Sequence, residues 1–193
     1  MILIVMGVSG SGKTTIGQML ADRLGWPFYD GDRCHSPANI DKMSRGLPLT
    51  DADRAGWLAT LADLICTHLT QNRSAVLACS ALKRAYRDQL RVDADAVRFA
   101  YLEGDYELIW ERMQQRTGHY MKPAMLASQF ATLEEPGDAI IVDVRLPPEQ
   151  IVSQIVRALA GGRDTYAPRH HRRRQHRADT QRQSAARKRK RRR

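Results

Sequence analysis

Short, almost wholly apolar runs alternate with amphipathic stretches along residues 2–160. The runs predict strands at 2–6, 27–30, 74–79, 97–103 and 139–144. The first, third and fifth are apolar nearly throughout, as in strands covered on both faces. The stretches between them predict helices at 14–24, 51–70, 83–91, 106–116 and 147–160. Within 51–70, Trp57, Leu58, Leu61, Leu64, Ile65 and Leu69 recur at three- and four-residue spacing and mark one apolar face. Thr50, Asp51 and Asp53 supply N-cap chemistry at its start. The last helix opens on Pro147 and Pro148 and closes on Gly161 and Gly162, the usual asymmetry of helix ends. This alternation predicts an α/β fold with a five-stranded parallel sheet and helices on both faces. Two stretches, 31–48 and 118–136, are too long for ordinary connections and read as substrate-binding or lid insertions. From residue 163 onward no apolar periodicity remains, and that stretch reads as disordered.

Charge supports the same division. The chain has 193 residues and a formal net charge of +10. Residues 1–162 carry 17 basic and 19 acidic side chains, whereas 163–193 carry 14 basic and 2 acidic ones. A mildly acidic domain, 1–162, therefore precedes an Arg-rich tail, 163–193. An apolar fraction of 42% with 27% charged residues is ordinary for a globular protein. No apolar run approaches the roughly 20 residues of a membrane-spanning helix. The start, MILIVMGVSG, lacks the basic region and cleavage site of a secretory signal. Cys34, Cys66 and Cys79 are odd in number and lack paired metal-ligand spacing, so a reducing cytoplasm is expected.

Residues 7–14, GVSGSGKT, fit the phosphate-loop pattern G-x-x-x-x-G-K-[ST] between an apolar strand and an amphipathic helix. Gly7, Gly10 and Gly12 permit a backbone that turns successive N–H groups toward phosphate oxygens. Ser9 and Ser11 lie within that cradle, and Thr15 adjoins it. Lys13 can neutralise the β/γ-phosphates and the Thr14 hydroxyl can ligate Mg²⁺. ATP and Mg²⁺ are the implied ligands. The N-K-x-D motif of GTPases is absent. The third strand ends VLAC rather than in aspartate, and Asp143 at the end of the last strand is an alternative metal carboxylate. A short chain with two insertions points to a small kinase that closes over its substrates.

The second strand ends Tyr29-Asp30-Gly31-Asp32. Residues two apart on a strand face the same way, so Asp30 and Asp32 are expected to project together at the sheet's carboxyl end. Two carboxylates there repel a phosphorylated acceptor and suit a hydroxyl: one takes its proton and the other holds Mg²⁺ through water. His35, Lys42, Arg45 and Arg54 add donors and positive charge, and Arg54 is placed to fork onto a carboxylate. Lys83, Arg84, Arg87 and Arg91 follow the third strand at helical spacing. Spacing alone leaves them either facing the substrate or forming a solvated surface.

Three blocks, DGDRCHSPANIDKMSRGLPLTDADRAGWL, LACSALKRAYRDQLR and RTGHYMKPAMLASQFATLEEP, occur in that order. Together they resemble gluconate kinases of the thermoresistant type, over about residues 2–160. The resemblance implies a nucleoside-monophosphate-kinase-like P-loop fold with a lid, related to shikimate kinase. It also implies transfer of phosphate from ATP to O6 of D-gluconate, supplying 6-phosphogluconate to the pentose phosphate and Entner–Doudoroff routes. On it, Asp32 corresponds to the acceptor-binding aspartate and Asp30 to the residue holding Mg²⁺ through water. His35, Arg54, Lys83 and Arg87 correspond to sugar-acid contacts, Arg112 to an arginine stacked on adenine, and Arg116 to a catalytic lid arginine. A homodimer is implied as well. The family often has proline before the tryptophan of its D-R-x-P-W-L run, where this chain has Gly56. That departure is expected to loosen the helix start presenting Arg54. The tail has no counterpart in the resemblance.

Two other functions fit parts of the chain. Another small-molecule kinase, acting on shikimate or a nucleotide, shares the phosphate loop. Nonspecific contact with nucleic acid or another anionic surface fits RHHRRRQHR and RKRKRRR, although the tail holds only Tyr166 for base stacking.

Overall fold

The computed structural model describes residues 1–115 and 123–161. Arg116, the first residues of the expected lid and the basic tail lie outside the described residues. The chain runs β1 (Ile2–Met6), α1 (Lys13–Leu24), β2 (Phe28–Asp30), a 3₁₀ turn (Gly31–Cys34), α2 (Pro37–Ser44) and α3 (Asp51–Thr70). It continues through β3 (Ala75–Ala78), α4 (Arg84–Leu90), β4 (Val97–Glu103), α5 (Tyr106–Gln114), α6 (Pro123–Thr132), β5 (Ile140–Asp143) and α7 (Pro148–Leu159).

The five strands form one parallel sheet in the order β2-β3-β1-β4-β5. Every residue of β1 and β3 is buried. Successive side chains point to opposite faces, so both faces of the sheet are covered, as the apolar runs predict. The expected fold class is therefore borne out. β1 lies at the centre, with Ile2 beside Ala75 on one side and Val97 on the other. The chain leaves β1 toward β2 but leaves β4 toward β5, and this reversal opens a crevice at the carboxyl ends of the central strands. Among the described residues no helix is long and apolar enough to cross a membrane.

The two interruptions contain helices that the apolar pattern did not indicate. PANIDKMS forms α2 because Pro37 occupies its first turn and the Ser36 hydroxyl caps the Asn39 N–H. PAMLASQFAT forms α6, which buries Leu126.

Helix α3 starts firmly. Thr50 and Asp53 make a reciprocal capping box, so the glycine at position 56 does not loosen the start as expected. Gly56 is exposed, and a Cβ there would meet nothing within 4 Å. Gly56→Ala is therefore expected to raise unfolding free energy by about 0.5–1 kcal/mol in denaturant titration.

The inner face of α3 also buries a polar group. His68 Nε2 meets the Tyr29 hydroxyl at 3.0 Å, while its Nδ1 has no hydrogen-bond partner. Burial, with help from Arg73 and the chain's amino terminus, holds the His68 pKa below its usual 6.5. The unfolded chain then binds the proton more readily, so stability is present above the unfolded pKa and is lost as pH falls below it. The thermal midpoint is expected to be lower at pH about 5.5 than at about 7.5, with a smaller difference in His68→Gln. An unchanged difference would remove His68 as the cause.

Candidate active site

The phosphate loop joins β1 to α1 across the mouth of the crevice. Gly10 has φ 83°, and a Cβ there would come within 2.6 Å of the Met113 side chain, so α5 seats directly on the loop. Gly12 caps α1 in the left-handed region at φ 97°. No side chain caps this helix and its first turn carries no carboxylate, so its positive end is left for an anion. The Ser11 hydroxyl is buried without a partner, against Gly7. Lys13 Nζ donates to the Val8 carbonyl at 3.1 Å, which places its ammonium over the loop. Thr14 and Thr15 are exposed at the start of α1. These features fit a bound nucleotide phosphate.

The acceptor side begins where β2 stops. Asp32 does not continue the strand: it lies in the 3₁₀ turn, and Asp30 caps that turn. Asp30 Oδ1 accepts the Asp32 N–H at 3.1 Å, and Asp30 Oδ2 accepts the Thr14 hydroxyl at 3.4 Å. The two carboxylates are thus neighbours through a capped turn, not through strand alternation. The turn is pinned from below, because Trp57 Nε1 donates to the Gly31 carbonyl at 2.7 Å. A Cβ on Gly31 would come within 2.7 Å of the Ala78 carbonyl, so only glycine lets the turn sit this close to β3. Asp32 itself is exposed and open to an acceptor.

His35 stacks on Trp57 with ring centroids 4.4 Å apart. Burial, the largest influence, lowers its pKa, and nearby Arg54 adds to this while Asp32 opposes it. In the neutral ring Asn39 Nδ2 donates to Nδ1 at 3.4 Å, which assigns the proton to Nε2. The same amide donates to the Asp53 carbonyl at 2.7 Å and ties α2 to α3. Lys42 reinforces that tie by pairing with Asp53 at 2.6 Å. Hydrogen bonds from Lys42 and from the Thr50 backbone and hydroxyl lower the Asp53 pKa to about 2.

Arg54 of α3 and Lys83, which precedes α4, converge on Tyr86, with the guanidinium 5.7 Å and the ammonium 5.6 Å from its ring centre. Arg54 Nη1 donates to the Leu49 carbonyl at 2.5 Å. Lys83 Nζ donates to both oxygens of Asp51 at 2.7 Å, and the Tyr86 hydroxyl donates to Asp51 Oδ1 at 2.5 Å. Hydrogen bonds from Lys83 and Tyr86 hold Asp51 below the usual carboxylate range, and its bond to Asp51 raises the Lys83 pKa. Both members of the pair stay charged.

Arg87, expected among the sugar-acid contacts, is engaged elsewhere. It is buried and donates to the Ala81 and Leu82 carbonyls at 3.1 and 3.0 Å. It props the loop after β3, where Ala81 takes a positive φ of 43°. Arg112 donates to the Val144 carbonyl at 2.7 Å and joins α5 to the loop after β5. Asp143, the alternative metal carboxylate, accepts from the Arg145 N–H and guanidinium at 2.8 and 3.3 Å. It ends an edge strand, away from Thr14 and Asp30. Among the described residues no group of three or more His, Cys, Asp or Glu could hold a metal ion. Thr14 and Asp30 instead fit an ion held largely by phosphate and water. The Cys79 thiol is pushed up to about 12 by burial, so it is inert core beside the site.

A sequence profile of the shikimate kinase family matches residues 9–160. The gluconokinase of Gluconobacter oxydans is 48% identical over 158 residues, covering 80% of this chain and 89% of that protein. The chain belongs to the gluconokinase family. The thermoresistant gluconokinase of Escherichia coli is 41% identical, covering 84% of this chain and 95% of that protein. The structure of a gluconokinase from Sinorhizobium meliloti superposes with a TM-score of 0.75 at 44% identity, covering 82% of this chain and 91% of that one. The family expected from the three sequence blocks is therefore borne out, and the superposition extends to the fold described above.

Sequence reasoning missed Asp51, Tyr86, Trp57 and Gln129 in this gluconokinase site. Trp57 read as an ordinary core position, and its indole N–H was the only hint of a further task. Gln129 gave no signal, because the helix that carries it was not indicated by the apolar pattern.

Proposed function

We propose that this chain transfers the γ-phosphoryl group of ATP to the primary hydroxyl of D-gluconate. One observation carries the reading: Asp32 is open to an acceptor and is tied through Asp30 to Thr14 of the phosphate loop. A hydroxyl held by Asp32 thus lies beside the loop that holds the donor. Two carboxylates disfavour an acceptor that already carries phosphate there. Arg54, supported by Lys83 and Tyr86, offers a cationic seat for the carboxylate at the far end of a sugar acid.

In the reaction Asp32 accepts the proton of the acceptor hydroxyl as the new O–P bond forms. The bond between the γ-phosphorus and the β–γ bridging oxygen breaks, and ADP leaves with that oxygen. Asp32 then releases its proton to water. Mg²⁺, when bound through Thr14 and water held by Asp30, supplies charge neutralisation on the phosphates. Lys13 neutralises the same oxygens, and His35 Nε2–H donates to a sugar hydroxyl.

The test is ADP release by purified protein with gluconate, shikimate, AMP or water alone as acceptor. Gluconate is expected to stimulate release well above the others. Stimulation by another acceptor and none by gluconate would overturn the reading.

A further inference from the structure

The Ser9 N–H in the phosphate loop donates to Gln129 Oε1 at 2.7 Å, across 120 residues of sequence. The bond settles the orientation of the amide: a backbone N–H needs an acceptor, so the oxygen faces the loop. The Nε2 amino group is then the remaining, donor end of a half-buried side chain. Helix α6 holds this amide firmly. Leu126 and Leu133 are buried, and Phe130 packs edge-on to Tyr106 at 5.6 Å between ring centres. Positions 126, 129, 130 and 133 share one helical face, so Gln129 is the polar member of an inward stripe. Just beyond the helix, the Glu134 N–H donates to the Leu82 carbonyl and its carboxylate accepts the Arg84 N–H, at 2.9 and 2.6 Å.

The same peptide unit is gripped from its other end. Lys13 donates to the Val8 carbonyl and Gln129 accepts the Ser9 N–H, so ammonium and amide flank one peptide of the loop. In this motif the lysine reaches the β/γ-phosphates, and here its ammonium rests on the Val8 carbonyl. The Val8–Ser9 side is therefore the terminal-phosphate side.

We propose that Gln129 is a γ-phosphate contact: Oε1 stays anchored on Ser9, and Nε2 donates to an oxygen of the transferring phosphoryl group. A neutral amide adds a directed donor from the edge of that trans peptide opposite to Lys13. The assignment rests on reading the loop as an ATP γ-phosphoryl site and is independent of which acceptor is used.

The test compares binding of ADP and of a non-hydrolysable ATP analogue, AMPPNP, without acceptor, and then kcat. In Gln129→Leu, AMPPNP affinity is expected to fall about tenfold or more and kcat about 10- to 100-fold, with ADP affinity changed less than about twofold. Gln129→Glu keeps an acceptor for Ser9 but replaces the donor with a carboxylate oxygen. It should bind ADP as the parent does and AMPPNP still more weakly than Gln129→Leu. Equal weakening of both nucleotides in Gln129→Glu would mean that Gln129 only braces the loop, and unchanged AMPPNP binding would mean no γ-phosphate contact; either overturns the assignment. Failure of the ATP reading itself would show separately, as a parent protein that binds neither nucleotide.

Discussion

Asp32→Asn is expected to lower kcat about a thousandfold while ADP and ATP affinities stay within about twofold. The substitution keeps the shape of the side chain and removes only its capacity to accept a proton. Local structure should survive it. The Asp32 backbone is fixed by its N–H bond to Asp30, and the turn is fixed by the Trp57 indole on the Gly31 carbonyl. The Asp32 side chain is exposed, so no buried partner is stranded by the change. Asp30→Asn provides the contrast. It disturbs the group that meets Thr14, so it should weaken Mg²⁺-dependent nucleotide binding as well as turnover. Steady-state ADP release and nucleotide titration separate the two. An Asp32→Asn protein within tenfold of the parent kcat would remove Asp32 as the proton acceptor.

The contrast between these two aspartates also shows what was legible in the sequence. The strands were legible because parallel strands buried on both faces must be apolar at every position, and 2–6 and 74–79 are nearly so. The phosphate loop was legible because its chemistry is contiguous: glycines, lysine and threonine act within eight residues. Asp30 and Asp32 were found by a strand argument, yet the structure joins them through a 3₁₀ turn capped by Asp30. Helix α2 was hidden because PANIDKMS buries little apolar surface and is held by Ser36 and by the Asn39–Asp53 bond, a contact across 14 residues. The Asp51–Tyr86–Lys83 group spans 32 to 35 residues, and nothing in local pattern announces it. Arg87 shows where local pattern stops. A helical row of basic residues says nothing about which member turns to the chain's own carbonyls, and here Arg87 is bonded to those of Ala81 and Leu82.

Arg54→Ala is expected to raise the KM for gluconate about 100-fold, with kcat within tenfold of the parent and the KM for ATP nearly unchanged. The choice of Arg54 over Lys83 follows from where the charges are spent. Lys83 is already paired with Asp51, whereas among the described residues no carboxylate lies within ion-pair distance of Arg54. Its guanidinium is nevertheless positioned, by the Leu49 carbonyl and the Tyr86 face. A fixed fork without a carboxylate is what a sugar acid's own carboxylate completes. Arg54→Lys should recover only part of the loss, because an ammonium lacks the planar fork. A neutral polyol of the same length isolates the cause, since it has no carboxylate to lose. Its slow phosphorylation should be about equal in parent and Arg54→Ala. A collapse of kcat on both acceptors, with gluconate KM unchanged, would instead place Arg54 at the phosphoryl group and leave the carboxylate seat to Lys83.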